Sequence, residues 1–315
     1  MEHQGLFLIL FNIVVFVLLL LDLGVMNKHK GAPTIRHALL STAFFVLLAL
    51  LFNAGIWYFR GAKPALEFTA GYLLEESLSI DNLFVFILIF KYFRVPGEHQ
   101  HRILFWGILG ALILRGIFIA AGVTLIHRFH FLIYLFGAFL VFTGIKMILE
   151  KDGEQVDPEK NLVLRIFHKF FPVSKHFHHG CFFLRENGVL KATPLFVVLL
   201  VVESTDVLFA TDSIPAVLSV TLDPFIVYTS NVFAILGLRS LYFAFAAIVS
   251  LFRYLHHGVS LILIFVGVKM LTSKMIEIPI GVSLGILAGI ITVSIALSVL
   301  IPEKKAEITE VNSEK

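Results

Sequence analysis

The 315-residue chain is 58% hydrophobic and only 15% charged, with a mean hydropathy of +0.92. Soluble domains average about 45–50% apolar and about 25% charged residues, so the composition excludes a soluble globular protein and indicates one that crosses a membrane several times. A net charge of +3 carries no footprint of a nucleic-acid binder, and the lone Cys181 excludes both an intramolecular disulfide framework and a thiolate metal cluster.

In chain order, the start Met1-Glu2-His3-Gln4 places no Lys or Arg before the first hydrophobic run. That run is too long for a signal-peptide core and reads as a retained helix. Spanning the hydrocarbon core takes roughly 20 apolar residues. By that measure nine segments qualify: 5–25, 36–58, 65–90, 103–126, 130–149, 192–214, 225–249, 254–273 and 278–301. The expected fold is therefore an all-α polytopic membrane protein of about nine transmembrane helices. With Arg115 and Arg239 set aside as mid-helix, an outside N-terminus puts 18 Lys and Arg on the cytoplasmic side and 5 outside. The positive-inside rule thus predicts N-out, C-in.

The long connection 150–191 is then cytoplasmic and basic. Its stretch Leu162 to Phe171 suits a short helix lying at the interface. His176, His178 and His179 form a cluster there that could bind metal, against the plainer reading of an interface-seeking loop.

The chain repeats itself. Thr143-Gly144-Ile145-Lys146-Met147 in helix five matches Val266-Gly267-Val268-Lys269-Met270 in helix eight. Leu114-Arg115-Gly116 in helix four matches Leu238-Arg239-Ser240 in helix seven, and Leu78-Ser79-Ile80-Asp81-Asn82-Leu83 can be laid on Phe209-Ala210-Thr211-Asp212-Ser213-Ile214. That last alignment sets Glu75 opposite Asp206. The predicted units are helices one and two (1–63), repeat A (64–149), the basic loop (150–191), repeat B (192–274), helix nine (275–301) and a cytoplasmic tail (302–315). Helices three and six run in opposite directions, so repeats A (helices 3–5) and B (helices 6–8) have inverted topology. Such repeats in transporters place substrate near the bilayer midplane, commonly on discontinuous helices. Pro215 gives helix six a reason to break.

Acids within these helices are costly and mark a candidate functional site. An α-helix turns about 100° per residue, so Glu75 and Asp81 point about 120° apart, as do Asp206 and Asp212. Either the helices unwind locally, or the carboxylates line two cavities. Glu75, Ser79 and Asn82 share one face, and Thr205 and Ser213 add hydroxyls beside the acids of helix six. These hard oxygen ligands suit Mn, Mg or Ca rather than Cu or Zn. Six acids (Glu75, Glu76, Asp81, Glu203, Asp206, Asp212) face two intramembrane arginines, Arg115 and Arg239, which read as structural partners for them. One divalent cation still leaves negative charge at low dielectric, so protons competing for the same oxygens offer a route to proton-coupled antiport. A single buried acid could instead be an internal ion pair that fixes packing.

Lys146 and Lys269, near helix ends, are expected to snorkel. Asp22 is either an interfacial charge or a supporting group. Asn12 and Asn53 read as interhelical hydrogen-bond partners. Gly281, Gly285 and Gly289 form a small-residue stripe for close packing in helix nine, giving it a scaffolding or homo-oligomer role. No H-E-x-x-H pair, nucleophile elbow or phosphate-binding glycine loop indicates an enzyme, and no prosthetic group is expected.

The motifs Glu76-Ser77-Leu78-Ser79-Ile80-Asp81-Asn82, Phe183-Leu184-Arg185-Glu186-Asn187-Gly188, Glu203 to Pro215, and Gly237-Leu238-Arg239-Ser240-Leu241-Tyr242 resemble the TerC family of integral membrane proteins. In length and helix count the chain is similar to the Alx-like branch. The likeness covers about residues 5–275. By it the chain is related to the LysE-superfamily cation transporters, and it implies export of Mn(II) as substrate in response to alkaline pH. It also implies metal residues at Glu75, Asp81, Glu203, Asp206 and Asp212, with Glu76, Ser79, Asn82, Thr205, Ser213, Arg115 and Arg239 supporting them. Ligand chemistry alone does not choose Mn(II) over Ca or Mg. The alternative is a secretion-associated factor that metallates or assists exported proteins, docking on a translocon through the basic loop.

Overall fold

Nine α-helices run through the described residues: α1 Glu2–Met26, α2 Ile35–Arg60, α3 Ala62–Tyr92, α4 Gly97–Arg128, α5 Leu132–Leu149, α6 Pro194–Leu218, α7 Pro224–Ile248, α8 Leu255–Leu271 and α9 Ile280–Leu300. The computed structural model describes residues 2–26, 34–129, 131–149, 171–174, 181–186, 189–248, 254–276 and 278–300. Six of these helices (α2, α4, α5, α6, α7 and α9) are long and apolar enough to cross a bilayer by composition alone. The chain is an all-α polytopic membrane protein. The interface helix expected within 162–171 and the cluster His176, His178 and His179 lie outside the described residues, as do the 302–315 tail and the side chain of Asp22.

The helices of 64–149 pack mainly against those of 192–274. Helix α3 lies on α7, α4 on α6, and α5 on α8, while α3 also meets α6 and α4 also meets α7. This set of contacts is unchanged when α3, α4 and α5 are exchanged for α6, α7 and α8. The α5–α8 seam shows the exchange at single residues. A Cβ on Gly267 would stand 2.6 Å from the Gly137 carbonyl oxygen, and one on Gly144 would stand 2.8 Å from the Ser260 carbonyl oxygen. Only glycine permits backbones to approach so closely. As numbering rises from 137 to 144 it falls from 267 to 260, so α5 and α8 are antiparallel. Helices α4 and α6 are parallel: Gly107 meets Val202, Arg115 meets Asp206, and Gly122 meets Leu218. One crossing, by α5, separates α4 from α6, so the end of α5 and the start of α6 lie on the same side.

Helix α2 packs on α7 and α3, with Phe52 against Phe68, Phe225 and Phe233, and Phe11 of α1 joins the same aromatic cluster. Gly61, at φ +93, makes the sharp corner between α2 and α3. Beyond it Arg60 pairs with Asp223 at 2.9 Å, and Thr221 donates to Glu67 at 2.8 Å. Asp223 also accepts from the Phe225 N–H at 2.9 Å, capping α7. The expected interhelical roles of Asn12 and Asn53 are seen: Tyr228 donates to Asn12 at 2.6 Å, and Asn53 donates to Thr69 at 2.8 Å.

Three expectations need correction. Helix α6 does not break at Pro215, because the proline lies within its last turn. There it forfeits one backbone hydrogen bond and then sets the helix end, where the Ser219 N–H bonds the Pro215 carbonyl at 3.0 Å. Helix α3 is likewise continuous. Second, among the described residues nothing packs on the small-residue stripe, since a Cβ at Gly281, Gly285 or Gly289 would meet nothing within 4 Å. Helix α9 instead buries Ser283, Leu287, Ser294 and Ser298 against α3 and α8. Third, the connection 150–191 holds an antiparallel hairpin, β1 Phe183–Glu186 and β2 Val189–Ala192, joined through Asn187 and Gly188. Thr193 ties its base to the Cys181 carbonyl at 2.7 Å, and Arg102 of α4 lies over the ring of Phe182. The hairpin is thereby seated beside the starts of α4 and α6.

Candidate functional site

Four helices contribute polar side chains to one buried cluster. Glu75 of α3, Arg115 of α4, Asp206 of α6 and Asn231 of α7 are each at most 4% exposed. Each reaches the interior because its helix carries apolar residues on the remaining faces. Their near neighbours in sequence, Leu74, Leu78, Val202 and Val232, are buried too, and the polar groups are left to satisfy one another.

The Arg115 guanidinium organises the cluster. Its Nη1 pairs with Glu75 Oε1 and donates to Asn231 Oδ1 at 3.1 Å, while Nη2 contacts Asp206 Oδ1 at 3.3 Å. Asn231 Nδ2 completes the ring by donating to Glu75 Oε2 at 2.8 Å. Asp206 Oδ2 is buried and has no hydrogen-bond partner. Glu75 and Asp206, which the repeat alignment equates, thus share one guanidinium. With both carboxylates ionised, the trio carries one net negative charge.

The remaining acids sit around this pair. Glu203, one turn before Asp206, is within electrostatic reach of it, and its carboxylate rests against α4 where Gly110 has no side chain. Glu76 is hydrogen-bonded to Tyr72 and packs near Gly237 of α7. Asp212 is half-buried and accepts from Thr143 of α5 at 3.3 Å. Lys146, one turn after Thr143, acts electrostatically on Asp212, so its ammonium has a carboxylate neighbour as well as the interface it was expected to seek. Asp81 lies on α3, but its side chain is outside the described residues.

The helices stay wound, and the acids fall on different faces as 100° per residue requires. Of the two arrangements open to the sequence, the structure adopts the one with separate groups: Glu75 with Asp206 and Glu203, and Asp212 with Thr143 and Lys146. Among the described residues, no three His, Cys, Asp or Glu side chains converge on a single point. Ser79, Asn82, Thr205 and Ser213 are all buried beside the acids. Thr205 turns its hydroxyl back to the Val201 and Val202 carbonyls, whereas the Ser213 hydroxyl has no partner. Arg239, 1% exposed on α7, holds the place in repeat B that Arg115 holds in repeat A.

Sequence reasoning missed Asn231. Its signal was present: Thr229-Ser230-Asn231 is a run of three polar residues in the apolar first half of its helix, the same kind of interruption that singled out the acids. The run carries no charge, and repeat A has Gly107 at the matching place, so neither charge nor repetition marked it. Gly110 was missed too, because a glycine that makes room for a carboxylate looks like any other small residue in a membrane helix.

Comparison with known proteins gives a consistent assignment. The model of the integral membrane protein TerC family matches residues 60–306. A relative in Myxococcus xanthus, named only as an uncharacterised membrane protein, is 48% identical over 301 residues, covering 96% of this chain and 94% of its own. One in Salmonella typhi, named Alx and described as a proposed membrane-bound redox modulator, is 44% identical over 91% of this chain and 92% of its own. A membrane protein of Rickettsia bellii is 38% identical over 93% of this chain and 96% of its own. No solved structure matches the chain.

Proposed function

The chain belongs to the TerC family of integral membrane proteins, and from its buried carboxylates we propose that it exports a divalent cation, Mn(II), from the bacterial cytoplasm. The observation that carries the reading is the meeting of Glu75 and Asp206 in a water-excluded core. The two acids come from segments that exchange under the contact pattern of α3–α5 and α6–α8. A substrate held there touches both halves at once, which is what alternating access by relative motion of two repeats requires. Carboxylate and amide oxygens from Glu75, Asp206 and Asn231, with Glu203 one turn away, are the kind of donors a hard cation takes. Mn(II) is the substrate that the family resemblance selects among such cations. Asp212, with Thr143 and Lys146, stands farther along α6 on the path, and protons serve as the counter-ion.

The antiparallel α5–α8 seam supports inverted topology. The excess of Lys and Arg on alternate connections supports an outside N-terminus and a cytoplasmic C-terminus. The redox role in the name of the Alx relatives has little chemistry to draw on here, because residues 1–315 hold a single cysteine and so no intramolecular dithiol pair.

The test is expression in manganese-sensitive cells with intracellular manganese measured. Wild type lowers it, and Asp206→Asn and Asp212→Asn do not. Variants that lowered manganese as well as wild type would remove these residues from the path.

A further inference from the structure

We propose that Arg115 is a tethered counter-cation: its guanidinium holds the position between Glu75 and Asp206 in the unloaded carrier and yields that position to the metal. The inference rests on the cation-export reading given above and deepens it.

The geometry puts the guanidinium where a shared ion belongs. It touches Glu75 of one half and Asp206 of the other, and among the described residues it is the cation that pairs with both. Asn231 holds both the occupant and one ligand, accepting from Arg115 and donating to Glu75. Asp206 keeps one buried oxygen unpartnered, although a fixed structural ion pair is stable only when its remaining lone pairs are satisfied. That spare oxygen is what an incoming cation can engage before the guanidinium leaves.

Charge supplies the reason. Two ionised carboxylates at bilayer depth, without a counter-charge, oppose any motion that carries them through low dielectric. Arg115 cancels one of the two charges, so an empty carrier can return. A divalent ion cancels both, and the displaced guanidinium then needs an acid of its own. Glu203 is placed for this, because its carboxylate rests on Gly110, five residues back along the helix that bears Arg115. Five residues span about 7.5 Å of helix, within the sweep of an arginine side chain.

The test compares wild type, Arg115→Gln and Arg115→Lys as purified full-length protein. Mn(II) binding is read from the loss of the free-ion EPR signal, and flux is read in proteoliposomes. Removing the competitor tightens Mn(II) binding by about tenfold or more in Arg115→Gln. In the same variant the ratio of net flux to Mn(II)-for-Mn(II) exchange falls about tenfold, because exchange never requires the empty site to return. Lysine keeps the charge and loses the fork, so Arg115→Lys lies between the other two in both readings. Should Arg115→Gln fail to fold, the same two shifts in Arg115→Lys decide. Unchanged or weaker binding overturns the proposal, and so does tighter binding with an unchanged flux ratio. Wild type that neither binds nor moves Mn(II) would instead refute the export reading itself.

Discussion

The α5–α8 seam permits a quantitative experiment on the packing that joins the two halves. A Cβ on Gly267 meets backbone on both sides, the Gly137 carbonyl oxygen at 2.6 Å and the Val141 nitrogen at 2.8 Å, where ordinary contact begins at 3.4 Å. Backbone cannot rotate away, so Gly267→Ala drives the helices apart by the difference, 0.8 Å. Overpacking of this kind costs about 1–3 kcal/mol, while alanine regains nearly 1 kcal/mol of helix propensity over glycine. The net loss is about 1 kcal/mol, reaching about 2 if the seam cannot spread. Gly137→Ala meets the same seam from the other helix, at 2.9 Å from the Gly267 carbonyl oxygen and from Met270 Cβ. Once Gly267→Ala has opened the seam by 0.8 Å, those contacts relax to ordinary distance, and the second alanine adds only propensity. The double variant is therefore no less stable than Gly267→Ala alone, a coupling of the kind expected for neighbours and not for separate sites. Unfolding by SDS titration, followed by tryptophan fluorescence, gives the three free energies. Additive losses in the double variant would show that the two glycines do not share a contact.

Two further outcomes follow from the buried cluster. Asn231→Ala removes one hydrogen bond to Glu75 and one from Arg115, both charge-assisted and fully enclosed. It destabilises the protein by about 2–4 kcal/mol in the same titration; a loss below about 0.5 kcal/mol would mean that water replaces the amide. Gly110→Ala displaces the Glu203 carboxylate, the free end of a flexible side chain, so stability changes by less than about 1 kcal/mol. Mn(II) flux in proteoliposomes nevertheless falls at least fivefold, and unchanged flux would show that the position of Glu203 does not matter to transport.

What the sequence revealed and concealed divides along physical lines. Helix positions were legible because a bilayer demands long apolar runs, so 36–58 became Ile35–Arg60 and 225–249 became Pro224–Ile248. The acids were legible because charge in such runs is rare. Pro215 misled because its effect depends on where the helix ends, and the end was set three residues later by the Ser219 N–H turning to the Pro215 carbonyl. The hairpin was hidden inside a loop read for its basic charge, an interface helix and its histidines, although Asn187-Gly188 between Phe183-Leu184-Arg185 and Val189-Leu190-Lys191 is a strong hairpin signal. The glycines of α9 looked like a packing stripe because periodicity gives a face but not its direction, and this face points away from the other described residues. Asn231 and Gly110 gain meaning only from what stands opposite them, which no single helix displays.

Helix α3 has a consequence for how the chain enters the membrane. It is absent from the six helices apolar enough to span unaided, because Glu75, Glu76 and Asp81 fall within its central turns. A single Asp at the centre of a span costs about 2.5–3.5 kcal/mol on the insertion scale. The groups that compensate Glu75 arrive later, Arg115 with α4 and Asn231 only with α7. The charge of Glu75 therefore lacks its amide partner in any chain that ends before Asn231 of α7, 156 residues further on. Helix α3 is thus electrostatically complete only as a member of a group of helices, and a fragment holding α1 to α3 alone carries its acids without their partners.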